Sequence, residues 1–249
     1  MLRNYLAQVF QVEKENTILA ALYLSLLALS LLAYLLTVVL RPEGYNPGVY
    51  RDAYVYFMVY DLILFSLFIP FWAADGAETG KVLHFLKLLA GITVMALSSV
   101  PLVLTIFVTT RLSPFNFALP LLMKPAWGLA VLSVKSFTGA LKPNWRWSRL
   151  ALALFIFTTL ALGCLLAFFS VEYRQAVVTT LYDRDIPAVF FLNPLLSLAG
   201  LVYSQAGGGS QMGHIPFYAC ALFWGLASAV LYFCAGRIAG WRGRRTGHE

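Results

Sequence analysis

The first candidates for chemistry are Asp61 and Lys124, two ionisable residues that stand deep inside long apolar stretches. At 1.5 Å per helical residue, Asp61 lies about 4 Å and Lys124 about 3 Å from the middle of its stretch, toward the predicted outer face. An unpaired charge at that depth would cost several kcal/mol, so the matching depths predict an ion pair. Three interpretations remain open: a structural pair that locks two helices, a substrate-path or switch role, and coincidence.

Prolines interrupt two of the apolar stretches. Pro125 directly follows Lys124 and removes the backbone hydrogen bond to Leu121, which predicts a kink there. Asn193 and Pro194 interrupt the stretch Ile186–Tyr203, and proline also disfavours helix at the residue before it. We therefore expect short helices that dip into a membrane and return, a re-entrant hairpin whose backbone must be buried in protein or line a cavity.

The histidines predict no metal or haem site. His84, His214 and His248 lie in three separate parts of the chain, and none is paired with another at i+3 or i+4. A metal or haem would need facing ligands inside the apolar stretches. We therefore predict no catalytic, cofactor-binding or metal-binding residue, and no cofactor in this chain.

Six long apolar runs, almost free of charge, must position these residues. They are Thr17–Leu40, Ala53–Ala74, Phe85–Val108, Phe115–Phe137, Arg149–Ser170 and Pro216–Gly236. Each run meets the length of about 20 residues with which a helix crosses the hydrocarbon core. Because backbone in lipid must satisfy its own hydrogen bonds, these runs are predicted to be helices. The predicted fold class is therefore an all-α membrane protein with six transmembrane helices, in which the re-entrant hairpin lies between the fifth and the sixth.

Composition and charge define the domains and the orientation. The 249 residues are 60% hydrophobic and 12% charged. Six spans with short connections leave no room for a separate soluble domain, so we predict one membrane domain over residues 17–249. Met1–Asn16 repeats apolar residues at helical spacing, which predicts an amphipathic helix in the membrane interface. Basic residues concentrate on one set of connections, so the positive-inside rule places both termini in the cytoplasm. The net charge of +7 is then explained by a basic cytoplasmic tail, Arg237–Arg245, near anionic lipid rather than by nucleic-acid binding.

The order of these elements resembles the permease subunits of type-2 ATP-binding-cassette exporters. Phe191–Leu201 (FLNPLLSLAGL) is similar to the family's Asn-Pro segment before the last span, and the stretches around Pro101 and Pro114 also look like the family pattern. The resemblance implies half of a dimeric translocation pathway in a bacterial or archaeal cytoplasmic membrane. The other half would be a second copy or a different permease. Separate cytoplasmic ATPase subunits would bind ATP with Mg²⁺ and drive it, and this chain would catalyse nothing.

One segment departs from the family pattern. The cytoplasmic connection after the second run is usually longer and docks in the ATPase, whereas here only Asp75–His84 remains. We predict that this segment still contacts an ATPase, through Asp75, Glu78, Lys81 and His84. The alternatives are a membrane scaffold or assembly subunit that transports nothing and, with no motif to support it, an intramembrane enzyme.

Overall fold

The computed structural model describes residues 14–40, 46–72, 81–110, 112, 115–141, 145–166, 177–181, 184–187, 189–206 and 214–246. Residues 1–13 of the predicted interfacial helix lie outside these ranges, and its last three residues open the first described helix.

Helices account for most of the described chain. Their bounds are α1 Lys14–Val39, α2 Pro47–Phe68, α3 Lys81–Ser98, α4 Val100–Thr110, α5 Phe115–Leu121, α6 Met123–Leu141, α7 Trp145–Phe157, α8 Val189–Leu192, α9 Pro194–Ala206 and α10 His214–Thr246. A 3₁₀ turn, Ile69–Phe71, extends α2, and a π-helical turn, Thr158–Leu162, continues α7. Two short strands, β1 (Val177–Leu181) and β2 (Arg184–Pro187), pair antiparallel before α8, and the sequence patterns did not predict them.

Five described helices are long and apolar enough to cross a membrane. They are Lys14–Leu36, Gly48–Phe71, Asn116–Leu141, Trp147–Leu166 and His214–Ile238. A sixth span exists if α3 and α4, which meet at an angle of 42°, count as one broken span. The described chain therefore has the helices of an integral membrane protein, and five of the six predicted runs correspond to single candidate spans.

Two interruptions shape the middle of the fold. At the first, Pro101 has no amide hydrogen for the carbonyl of Leu97, and the new helix starts from Ser99, whose carbonyl accepts the amide of Val103 at 3.0 Å. At the second, the amide of Leu122 bonds the carbonyl of Leu119 at 3.1 Å, a tighter turn that separates α5 from α6. This break lies three residues before Pro125, where the sequence predicted a kink.

The core is built around α6, which packs against α2, α3, α7 and most extensively α10. Trp127 is buried there between Phe155 and Trp224, with ring centroids 5.5 and 5.1 Å away. Gly128 permits the close approach of neighbouring helices, because a Cβ would lie 2.8 Å from the Ile92 side chain. Close packing fixes the position of α6, and with it the position of Lys124 near its start.

Candidate functional site

The structure brings Asp61 and Lys124 together in the protein interior. Their side chains are 0% and 1% exposed, and Lys124 Nζ contacts Asp61 Oδ2 directly. The hydroxyl of Tyr23 donates a hydrogen bond to Asp61 Oδ1. Lys124 Nζ also donates to Ser99 Oγ at 2.5 Å and to Tyr23 Oη at 3.3 Å. We call these four residues the buried charge cluster.

The buried charge cluster joins four separate segments of the chain. Tyr23 comes from α1, Asp61 from α2, Ser99 from the break between α3 and α4, and Lys124 from the start of α6. Two of its members therefore lie at helix interruptions. There the regular pattern of backbone hydrogen bonds stops, and Ser99 Oγ donates to the carbonyl of Ala96 at 3.0 Å while accepting from Lys124.

The buried charge cluster has no net charge and is closed to solvent. One carboxylate and one ammonium balance in charge, and the tyrosine and serine hydroxyls bond the remaining donors and acceptors. All four residues are at most 1% exposed, so the cluster in this arrangement is closed to solvent. Sequence reasoning missed Tyr23 and Ser99, and of the two only Ser99, a hydroxyl beside a proline break, carried a usable signal.

Asn193 is a second buried polar residue with a defined role. Its Oδ1 accepts the amides of Leu195 at 2.9 Å and Leu196 at 3.1 Å, so it caps α9, with Pro194 at the favoured first helical position. Its Nδ2 donates to the carbonyls of Thr159 at 2.8 Å and Leu160 at 3.2 Å. Both carbonyls belong to the π-helical turn that continues α7. There the amide of Gly163 bonds the carbonyls of Thr158 and Leu160 and not that of Thr159, its partner in a regular helix.

Gly163 makes possible the contact of Asn193 with the π-helical turn, which we call the Asn193 clamp. A Cβ at position 163 would lie 2.2 Å from Asn193 Nδ2, closer than any real contact. On the other side of the break, Trp224 Nε1 donates to the carbonyl of Leu192, the last residue of α8, at 2.8 Å. The backbone around Asn193 is thus satisfied and buried against α7 and α10, as a broken segment at membrane depth requires. Entry of α8 and α9 into the membrane and return remains a prediction.

The predicted ATPase-coupling segment is only partly described. Asp75 and Glu78 lie outside the described residues. Lys81 is the first residue of α3, but its side chain is outside the described part of the structure. His84 is described: its Nδ1 lies 2.6 Å from the hydroxyl of Tyr232, and the two rings stack with centroids 5.9 Å apart. The first turn of α3 is therefore attached to α10.

A cavity of about 980 Å³ lies between α2, α6, α7 and α9. One wall follows α7 from Ser148 to Cys164, and the facing wall is formed by α2 and its 3₁₀ turn. The lining is mostly apolar, but Lys135 of α6 and Arg149 of α7 line it as well. The sequence did not predict this cavity or these two residues as part of a site.

Within the described ranges, no group of three or more His, Cys, Asp or Glu side chains is arranged to hold a metal ion. Comparisons with protein-family models, with curated proteins and with solved structures found no match to this chain.

Proposed function

We propose that the chain is the permease subunit of an ATP-binding-cassette transporter of the type-2 exporter class. It would form half of a dimeric pathway in a bacterial or archaeal cytoplasmic membrane, with both termini inside and a second permease copy or a different permease as its partner. ATP hydrolysis would take place in separate cytoplasmic subunits. The proposal rests on the buried charge cluster, because ionisable residues inside membrane helices commonly mark pathways and switches.

The position of α3 supports the proposal. This helix begins at Lys81, directly after the predicted coupling segment, and ends beside Ser99 of the buried charge cluster. A displacement at its cytoplasmic end would therefore be carried about 27 Å along a rigid helix of 18 residues to the contact between Ser99 and Lys124. ATPase closure could in this way open or close a lock that joins four segments.

The helix interruptions give that motion a place to occur. Discontinuous helices near the middle of the membrane are a recurring device of transporters, in which one bundle moves against another. Here both interruptions, at Ser99 and at Leu122, border the buried charge cluster. A change in the angle between α3 and α4 would move Ser99 against Lys124 without unfolding either helix.

Co-purification tests the proposal. The chain, tagged after Glu249 and isolated from its native membrane, should carry an ATPase with Walker motifs in a fixed ratio. A matched variant, in which a Gly-Ser stretch of equal length replaces residues 75–80, should insert normally but lose that ATPase. Recovery of the wild-type chain without any ATPase, after cross-linking in the membrane, would favour the scaffold alternative.

A further inference from the structure

We infer that the cavity between α2, α6, α7 and α9 binds an anionic phospholipid, with its phosphate at Lys135 and Arg149 and an acyl chain along α7. The inference concerns lipid binding and does not depend on transport. It starts from the charges of the lining: the described lining residues include these two cations and no acidic residue.

The two cations lie at the same end of the cavity. Thr138, one turn after Lys135 on α6, hydrogen-bonds Ser148, the neighbour of Arg149 on α7, with 2.9 Å between their hydroxyl oxygens. This bond holds the turn of α6 that carries Lys135 and the turn of α7 that carries Arg149 at the same height in the bundle. Lys135 Nζ is fixed by the carbonyls of Pro70 at 2.8 Å and Trp72 at 3.0 Å. An ammonium has three donors, so one remains for a phosphate oxygen, and the planar guanidinium of Arg149 matches the geometry of a phosphate group.

The rest of the cavity suits a hydrocarbon chain. From Ser148 to Cys164 the lining extends along about 24 Å of helix at 1.5 Å per residue. That length exceeds the roughly 15 Å that the acyl chains of one leaflet fill, half of a core about 30 Å thick. Leu67, Phe71 and Phe157 line the cavity and are also 56%, 66% and 65% exposed, so it opens on an apolar outer surface of the kind that contacts lipid tails.

Charge distinguishes the occupant from other amphiphiles of the bilayer. A zwitterionic headgroup brings a cation of its own toward Lys135 and Arg149, whereas an anionic phosphodiester brings only the complementary charge. Basic pockets between membrane helices on the cytoplasmic side are typical binding places for anionic headgroups, and the predicted topology places both residues on that side.

Binding of phosphatidylglycerol and of phosphatidylcholine to the purified full-length chain in detergent, measured by native mass spectrometry, tests the inference. The wild type should retain phosphatidylglycerol in preference to phosphatidylcholine. Lys135→Gln or Arg149→Gln should weaken phosphatidylglycerol binding about fivefold, and the double variant about thirtyfold. The reason is that each cation near a lipid phosphate contributes a similar part of the binding free energy. Lys87→Gln on α3, outside the cavity, is the matched control and should bind as the wild type does.

A second variant tests the apolar part without touching the charges. Ala153 is exposed and lines the cavity on α7, so Ala153→Trp should fill the chain-binding space and lower phosphatidylglycerol retention while leaving the lipid-free thermal midpoint unchanged. Equal retention of the two lipids by the wild type would overturn the inference. Wild-type affinity in Ala153→Trp or in the double charge variant would also overturn it.

Discussion

At the scale of single residues, the buried charge cluster is stable only while each of its two charges is paired. Taking Asp61 and Lys124 out of water carries a desolvation cost that their mutual attraction offsets only when the remaining donors and acceptors are satisfied. Tyr23 and Ser99 supply those bonds. Apolar residues of similar volume often stabilise a core as well as a buried ion pair does. The cluster is therefore better explained by the single helix arrangement that it specifies than by a gain in net stability.

A double-mutant cycle checks this interpretation. Asp61→Asn and Lys124→Met should each destabilise the protein by about 3–5 kcal/mol, because each leaves an uncompensated buried charge. The double variant should recover much of the loss, since neither charge then remains alone. Thermal unfolding in detergent measures the effect, with Asp52→Asn, on an exposed carboxylate of the same helix, as the control. Additive losses would show that the two side chains do not interact.

The clamp between Asn193 and the π-helical turn gives a second prediction. Gly163→Ala places a methyl group where Asn193 Nδ2 lies, so the asparagine must withdraw and the cap of α9 is lost. We expect a cost of about 1–2 kcal/mol, as for the loss of a helix cap, and a similar cost for Asn193→Ala.

The double variant and a control glycine separate the clamp from general helix effects. Gly163→Ala with Asn193→Ala should be no less stable than Asn193→Ala alone, because the methyl group then meets only the Cβ of residue 193, at an ordinary contact distance of 3.4 Å. Gly225→Ala, where a Cβ meets nothing within 4 Å, should leave the thermal midpoint unchanged or raise it. A Gly163→Ala variant as stable as the wild type would contradict the clamp.

At the scale of elements, α3 links the predicted coupling segment to the buried charge cluster, and its first turn is held to α10 by His84 and Tyr232. A force applied before Lys81 therefore acts on two attachments, one at each end of the helix. Under the proposed function, this arrangement would let the short segment 75–84 transmit motion to both attachments.

Exchanging the two charges of that segment tests the role. Glu78→Lys combined with Lys81→Glu keeps the net charge but reverses the local pattern, so it should lower substrate-stimulated ATP turnover in the assembled complex. Exchange of Arg51 and Asp52, at the predicted outer end of α2, should leave turnover as it is. If the Glu78/Lys81 variant gave wild-type turnover and wild-type complex yield, the segment would have no part in coupling.

At the scale of the whole molecule, orientation in the membrane is the property on which the functional proposal depends most. The distribution of basic residues predicts both termini in the cytoplasm and the connection Gly207–Ser210 outside. Both Ser210 and His248, the last residue but one, lie outside the described residues, so labelling must test this prediction.

Cysteine accessibility provides the measurement. With Cys164, Cys220 and Cys234 replaced by alanine, Ser210→Cys should react in intact cells with a thiol reagent that does not cross the membrane. His248→Cys should react only after permeabilisation, because it lies on the predicted cytoplasmic side. The opposite pattern would invert the topology and with it the predicted contact between residues 75–84 and a cytoplasmic ATPase.

The sequence by itself predicted the long apolar helices and, through Pro125, the region of one of the two interruptions. Apolar length and the need for internal backbone hydrogen bonds are local properties, and so is the amide hydrogen that Pro125 lacks. Depth along two helices was enough to bring Asp61 opposite Lys124. The bend at Ser99 was not predicted, although it decides whether the described part of the chain has five candidate spans or six.

Only the tertiary structure decided which distant groups complete each site. Tyr23 lies 38 residues from Asp61, and Asn193 lies 34 residues from the carbonyl of Thr159 that it binds. The cavity likewise exists only where four helices meet, and it joins Lys135 to Arg149 across two of them. The period of a helix shows which residues share a face. It does not show which neighbour that face contacts, because in lipid the apolar faces of helices differ little in their attraction for one another. The neighbour therefore follows from the packing of the whole bundle.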